Sequence, residues 1–547
     1  MSMFLKKHWA FILLLLIFGL ALFLRVYKLG VLPATFHEDE LLNGYLGRFI
    51  LQNGKDLYGN FYPLLYFNKF GDYYIILPMY LSGIASYFFG VGEFATRFPA
   101  ALFGALAVFP IYYLAYFIFN EKRVGLLAGF LFAITPWSIV LSRTTTEGVI
   151  GSTIFITGIV LLLASLKEIN ARYLLFSALL FFISYFIYHP FRLYTPLIFL
   201  PLFFLFRKML LRHKKYAVLL AGITIAFFLL TFYISQTPWG KGRFEQASIF
   251  SPVSGVSIRI HEIMNDEGTN QRLLARVFHN KAIMYGREFM NQYLTYLSPR
   301  FLFVEWPLKI RYYIPEQGAL FFAFLIFVGI AFIRLTKYKT NNSLLFYSLF
   351  LLFLAPIPAA FTFVESPNPH RSLFLLYILI IFIALGFYKS FFIKYKNIRL
   401  GYILCFLLAL EFIYFSHQYV KHSDSYNDLY RNGPHKKVAL YAIENEKKYD
   451  EIILPVEAGM PLYYLFFKKD FSPELVGKFR LDIRIDKTNN IRYIDNSCPT
   501  TIVQYEELKN KKALIIDRYD CLRSDRFKFI EEIKSSNALL SYKVYQY

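Results

Sequence analysis

Residues 9–24 read WAFILLLLIFGLALFL, and residues 36–49, a short loop later, read FHEDELLNGYLGRF. The first stretch decides the fold. A bilayer core takes about 20 apolar residues per helical span, and uncharged runs of that kind recur from Phe11 to Phe415. The 547-residue chain is 56% hydrophobic and only 18% charged, and the charges fall in short clusters between those runs. A set of soluble domains with buried helices is a poor account of this pattern, because soluble helices rarely run so long without charge. The first run follows Lys6 and Lys7 and precedes Arg25, Tyr27 and Lys28. With no small-residue cleavage site, it reads as an uncleaved signal anchor.

A formal charge of +22 invites a nucleic-acid partner. The placement of the charge argues against one, since no basic stripe interleaves with aromatics on a soluble surface. Lysine and arginine cluster instead at alternate ends of the apolar runs, as the positive-inside rule requires. With the N-terminus cytoplasmic, about eleven spans follow. They fall near 9–25, 97–119, 124–141, 149–166, 173–188, 193–206, 217–235, 316–333, 343–361, 372–388 and 400–416. The basic groups Lys122/Arg123, Lys167/Arg172, Arg207–Lys215, Arg334/Lys337/Lys339 and Lys389–Arg399 then lie inside. Two large loops, 26–95 and 236–315, lie outside.

The expected architecture is an all-α polytopic membrane region, 1–416, with amphipathic helices on its outer face. Residues 417–547 alternate short β-rich runs (Glu451–Leu454, Ile491–Ile494, Ala513–Ile516) with helix-like stretches (Lys436–Lys447, Phe527–Lys534). That predicts a small extracytoplasmic α/β domain. Cys405 sits in an apolar run; Cys498 and Cys521 either pair, if that domain is exported, or stay free.

The outer loop 26–95 carries the chemistry. Three adjacent acids, Glu38, Asp39 and Glu40, repel one another beside a membrane span and need a reason. Thr35 and Glu38 have capping-box spacing for a helix running to Gly54, which accounts for one acid. At ~100° per residue Asp39 and Glu40 project to different faces, so one of the two is expected to point at reacting atoms. A carboxylate at the membrane boundary can act as general base on a hydroxyl. From Asp72 to Gly90 the chain is apolar but short, which predicts a helix lying on the membrane surface, with Lys69 and Asp72 at its start.

Other polar groups fall on the same side: Arg97 at the opening of the second span, Arg143 and Glu147, His189 and Arg192, and His370 and Arg371. One acidic cluster among several cations suits a phosphate-linked substrate. Each taken singly also fits an interfacial anchor, and Arg97 can simply snorkel. Histidine with carboxylates leaves a divalent metal open, without ligand spacing such as H-x-x-x-H to support it. No other cofactor is expected.

The ordered blocks FHEDELLNGYLGRFILQNGKDLYGN (36–60), FGDYYIILPMYLSGIASYFFGVGEFATRFPAALFG (70–104), ITPWSIVLSRTTTEG (134–148), YFIYHPFRLYTP (185–196), YLSPRFLF (296–303) and LAPIPAAFTFVESPNPHRSLF (354–374) span nearly the whole chain. In that order they resemble the GT-C superfamily of polytopic glycosyltransferases. The similarity is to the branch of dolichyl-phosphate-mannose–protein mannosyltransferases and aminoarabinose transferases. The resemblance implies a polyprenyl-phosphate-linked monosaccharide donor, a protein, lipid or glycan acceptor, and inverting transfer at the extracytoplasmic face of the plasma (inner) membrane. It maps the family's Asp-Glu onto Asp39-Glu40, with Asp39 the base. Lys69, Arg192, His370 and Arg371 are the candidates for the donor phosphate. Relatives often carry Lys-Pro-Pro where this chain reads Asn68-Lys69-Phe70-Gly71-Asp72, which weakens the case for Lys69, and Glu38 leaves the base open among three neighbours.

Two other functions fit parts of the pattern. A transporter or flippase of lipid-linked saccharides would place charges or broken helices near the midplane and often shows repeated halves; the spans here are largely uncharged. A polymerase or ligase with a diphosphate-linked donor shares the chemistry but wants a larger acceptor groove.

Overall fold

Each apolar run satisfies its backbone hydrogen bonds within itself, which in lipid leaves the α-helix as the solution for a single segment. The computed structural model describes residues 2–69, 72–266, 273, 277–305, 311–335, 342–428, 430–457, 459–480, 482–536, 538 and 540–547. Among these, seven helices are long and apolar enough to cross a membrane, or eight if Lys122–Ile134 and Pro136–Ser142 form one bent span. Three shorter apolar helices, Ala171–Tyr185, Phe191–Leu205 and Ala323–Leu335, stand where further spans are expected. Every expected span therefore coincides with an apolar helix or helix pair. The one near 316–333 begins later, at Ala323, because Glu316 adopts φ 56° and the chain around it is irregular. Lys337 and Lys339 lie outside the described residues.

Burial follows position. Leu373–Ser390 is the most enclosed span, with 89% of its apolar stretch buried, whereas the first and the Lys214–Gln236 spans bury 22%. Their outward residues are large and apolar, such as Leu16, Phe23 and Phe232, as a lipid-facing surface requires. The bend of 57° falls at Thr135-Pro136. Thr135 is extended (φ −63°, ψ 132°) ahead of the proline, which also cannot donate a helical hydrogen bond. The bend turns Trp137 so that its Nε1 donates to the Pro369 carbonyl at 2.8 Å. The helix Pro136–Ser142 is thereby tied to the segment 366–371, distant in sequence.

The loop 26–95 departs from expectation in one respect. Asp72 to Gly90 is not a single helix: Asp72–Ile75 pairs antiparallel with Tyr66–Lys69, and the helix runs from Leu77 to Phe89. The aromatic and β-branched run Tyr73-Tyr74-Ile75 favours a pleated strand, and Pro78 suits the first helical turn. The helix Glu38–Asn53 crosses Leu77–Phe89 closely, since a Cβ on Gly47 would stand 1.9 Å from the Met79 carbonyl oxygen. It ends where expected, at Gly54 with φ 70°.

Beyond the last span, Leu400–Lys421, lies a six-stranded sheet in the order Lys487–Thr488, Ile491–Ile494, Glu451–Pro455, Ala513–Asp517, Ser541–Gln546, Lys528–Lys534. Glu451–Pro455 runs parallel to both neighbours, and the remaining pairs are antiparallel. The two central strands are buried along their whole length, as their near-continuous apolar sequences require. Phe527–Lys534, expected to be helix-like, is instead the edge strand Lys528–Lys534. Pairing with Ser541–Gln546 overrides that local preference. Cys498 and Cys521 form a disulfide with Cα atoms 5.6 Å apart. This unit is not an appendage, for one hydrophobic core joins Phe36, Leu41, Tyr45 and Phe49 to Val438, Met460, Tyr463 and Phe466.

Candidate active site

The helix Glu38–Asn53 opens on its three acids, and its first turn separates them as a 3.6-residue period dictates. Its N-cap is His37, not the Thr35 that the sequence spacing favours: His37 Nδ1 accepts from the Asp39 amide at 3.0 Å. Thr35 is occupied elsewhere, with its carbonyl accepting from Arg97 at 2.8 Å and its hydroxyl from Arg431 at 2.9 Å. Glu38 turns to Lys69 and pairs with it.

Glu40 turns inward. Only 2% exposed, it accepts from Arg97 at 2.9 Å, from Arg431 at 3.1 Å and from the Thr145 amide at 3.3 Å. Burial raises its carboxyl and the two guanidiniums outweigh this, leaving it at about 2. Arg97, expected to snorkel or to face the site, is fully buried and also binds the Leu29 and Pro33 carbonyls at 3.1 and 2.9 Å. Arg143 is likewise buried, holding the carbonyls of Leu24, Arg25, Tyr27 and Leu32 and the Tyr419 hydroxyl. Both arginines brace the turn that follows the first span.

Asp39 turns to a cavity of about 560 Å3. Tyr74 donates to its Oδ1 at 3.3 Å, and Arg311 forms an ion pair with its Oδ2. Arg311 Nη1 also lies 3.1 Å from His37 Nδ1. Burial by itself would raise the Asp39 carboxyl. The adjacent Arg311 guanidinium outweighs burial, aided by Lys69, and holds it well below the usual carboxylate range. Burial first, then Arg311, pushes His37 down to about 3, so at neutral pH its ring is uncharged and free to accept from the Asp39 amide.

The cavity brings together Glu147, His189, Arg192, His370 and Arg371 with Asp39. His370 stacks on Tyr188 at 4.7 Å, and its Nε2 accepts from the Gly148 amide at 3.1 Å and lies 3.9 Å from Glu147. Arg371 donates to Thr362 Oγ1 at 3.2 Å and to the Val364 carbonyl. Arg192 lies over the Trp239 ring at 4.7 Å and donates through Nε to the Tyr185 carbonyl, while its buried Nη2 has no hydrogen-bond partner among the described residues. Glu38, Glu40, Lys69, Arg97 and Arg143 do not line the cavity. Asp72 opens its strand, and its side chain lies outside the described residues. Among the described residues no group of three or more His, Cys, Asp or Glu side chains could hold a metal ion.

Sequence reasoning missed Arg311, Tyr74, Lys241 and Arg431. The first two contact Asp39, Lys241 lines the cavity, and Arg431 binds the neighbouring Glu40. Arg311 and Lys241 stand at the two ends of the loop 236–315, so its length was their only signal. Arg431 stands among many charges of the C-terminal region and carried none.

Among the described residues, apolar helices or helix pairs at eleven positions and a cavity with an ion-paired acid at its edge form a fold similar to that of the GT-C membrane glycosyltransferases. More particularly, residues 76–233 match the family model described as dolichyl-phosphate-mannose-protein mannosyltransferase. The chain is similar to the structure of ArnT from Cupriavidus metallidurans in the apo state, with TM-score 0.50 and 12% identity, covering 99% of this chain and 98% of that one. It is similar to the apo oligosaccharyltransferase of Archaeoglobus fulgidus at TM-score 0.50 and 15% identity, over 94% of this chain and 70% of that one. Archaeal AglB from Archaeoglobus fulgidus, in complex with an inhibitory peptide and a dolichol-phosphate, gives TM-score 0.49 and 14% identity over 84% of this chain. The present chain spans 64% of that protein's length. No curated protein matches the sequence.

Proposed function

We propose that this protein is an inverting glycosyltransferase that moves a monosaccharide from a polyprenyl-phosphate donor to an acceptor hydroxyl on the extracytoplasmic side. The observation that carries the reading is the side-chain sorting at the acid cluster. Of three adjacent carboxylates only Asp39 opens into the cavity, and it shares that cavity with Arg192, Lys241, Arg311 and Arg371. The cavity volume of about 560 Å3 falls in the ~300–1,000 Å3 range of small-ligand sites, a fit for a sugar with its phosphate. The family description names a dolichyl-phosphate-mannose donor, which supports a lipid phosphate here.

In this reading the acceptor oxygen attacks the anomeric carbon and the bond from that carbon to the phosphate oxygen breaks. The phosphate leaves with the electron pair, and the acceptor proton passes to Asp39. Cations preorganised around the leaving oxygens stabilise the charge as it develops. Arg192 is suited to this by a buried Nη2 that makes no hydrogen bond among the described residues, and Arg371 by its place on the wall. While Arg311 holds Asp39 the carboxylate is a weak base. A bound phosphate would compete for Arg311, and release of that pair would strengthen the base as the donor arrives.

The side of action rests on two supports. Basic clusters alternate with apolar spans in the positive-inside sense, and a disulfide at Cys498–Cys521 fits an oxidising compartment.

The test is transfer from a polyprenyl-phosphate sugar in membranes containing the protein. Asp39→Asn is expected to abolish transfer while the protein still inserts and accumulates; retained turnover would remove Asp39 from the mechanism. Mass spectrometry of lipid-linked and surface glycans, with and without the protein, would identify the sugar and the acceptor.

A further inference from the structure

The segment that leads from the last span into the α/β unit contacts the acid cluster through Arg431 and Asn432. Arg431, 2% exposed, makes one set of bonds to three separate parts of the site. Its Nε donates to Thr35 Oγ1 at 2.9 Å, its Nη2 to the Thr35 carbonyl at 3.2 Å and to Glu40 at 3.1 and 3.2 Å, and its Nη1 to the Arg311 carbonyl at 3.3 Å. Thr35 and Glu40 bracket Asp39 in sequence, and Arg311 is the residue whose side chain pairs with Asp39. The neighbouring Asn432 reaches the same turn, with its Oδ1 accepting from the Glu38 amide at 3.3 Å.

Neutralising Glu40 does not by itself call for Arg431. Arg97 already forms an ion pair with that carboxylate at 2.9 Å. A second buried guanidinium costs several kcal/mol in desolvation unless its donors are matched, and here they are matched mostly by backbone and hydroxyl oxygens. What those bonds achieve is registration of three segments against one another. The strap is itself anchored in the α/β unit: Asp428 accepts from the Ser536 amide at 2.7 Å and its hydroxyl at 2.9 Å. Gly433 passes so close that a Cβ there would stand 2.0 Å from Asp428 Oδ1 and 2.8 Å from Thr35 Cγ2. The helix Met460–Lys468 completes the seat, with Tyr463 donating to the Phe36 carbonyl at 2.5 Å.

We infer that Arg431 is a positioning residue that sets Asp39 and Arg311 in register, so that the C-terminal α/β unit is a working half of the catalytic platform. This rests on the reading of Asp39 as the base. It assigns the unit a role in turnover beyond docking or stability.

Full-length Arg431→Gln, Arg431→Lys and Asn432→Gly proteins are to be compared with wild type in sugar transfer and in amide hydrogen exchange. Glycine suits position 432 because Asn432 has φ 55°. The expected result is a kcat at least tenfold lower in Arg431→Gln, with KM for the donor within twofold. Arg431→Lys, which keeps the charge at Glu40 but not the fork, should fall between. Asn432→Gly should lower kcat about threefold with an unchanged melting temperature, and it keeps the test open if Arg431→Gln does not fold. Exchange in 36–45 and 311–320 should rise in the variants, with the Leu373–Ser390 span unaffected. Wild-type kcat in the folded variants, or a loss confined to KM or protein yield, overturns the inference. If wild type transfers no sugar, the functional reading fails by itself; exchange then decides the coupling, and unchanged protection of 36–45 overturns it.

Discussion

Asp39, Glu38 and Glu40 show how one helical turn assigns three like side chains to three tasks. Their chemistry is nearly identical, and their difference lies in which neighbour each meets: Arg311 for Asp39, Lys69 for Glu38, and the pair Arg97 and Arg431 for Glu40. Arg311 sets the basicity of Asp39, so Arg311→Gln should move the acidic limb of the kcat/KM profile to higher pH. The sign follows because Arg311 favours the ionised carboxylate, while the burial that remains after its removal favours the protonated one. An unchanged limb in the pH–rate profile would show that another group controls it. Arg371→Ala should weaken use of the donor far more than it weakens expression; equal loss of both would make Arg371 a structural residue.

The helix Glu38–Asn53 depends on close packing and on the charge state of its first turn. At Gly47 a Cβ would meet backbone, 1.9 Å from the Met79 carbonyl, and backbone cannot rotate away. Gly47→Ala should therefore cost ~1–3 kcal/mol, as overpacking does, seen as a lower melting temperature in detergent. Acid should loosen the same helix. His37, at about 3 against an ordinary 6.5, and Glu40, at about 2 against 4.5, both bind protons less readily folded than unfolded. The unfolded chain thus takes up more protons as pH falls, and stability drops. The loss should begin near pH 6.5 through His37, deepen below about 4.5 through Glu40 and continue below about 3.8 through Asp39. Hydrogen exchange across 36–45 at pH 7 and pH 4 would read it; greater protection at pH 4 would contradict the assignment.

At the scale of the molecule, a membrane bundle and an α/β unit meet on the acid helix, which belongs to the core of the second while bracing the cavity against the first. The proposed orientation puts the α/β unit outside. After mild reduction of intact cells, Cys498 and Cys521 should react with a membrane-impermeant thiol reagent, and their protection in intact cells but not in lysed ones would reverse the topology.

Hydropathy and charge placement determined the spans, because a helix in lipid needs only its own sequence to satisfy its backbone. The strands Glu451–Pro455, Ile491–Ile494 and Ala513–Asp517 were legible for a similar reason, each being a short β-favouring run. Lys528–Lys534 was not, because its state is decided by a partner strand rather than by its own residues. The ordered motifs brought Asp39, Arg192, His370 and Arg371 into view as candidates. What they could not convey is which acid faces the cavity, that Arg97 and Arg143 are buried braces, or that Arg311 and Arg431 converge on Asp39 and Glu40 from 272 and 391 residues away. Those choices are made by long-range ion pairs and hydrogen bonds, whose geometry exists only once the chain has folded.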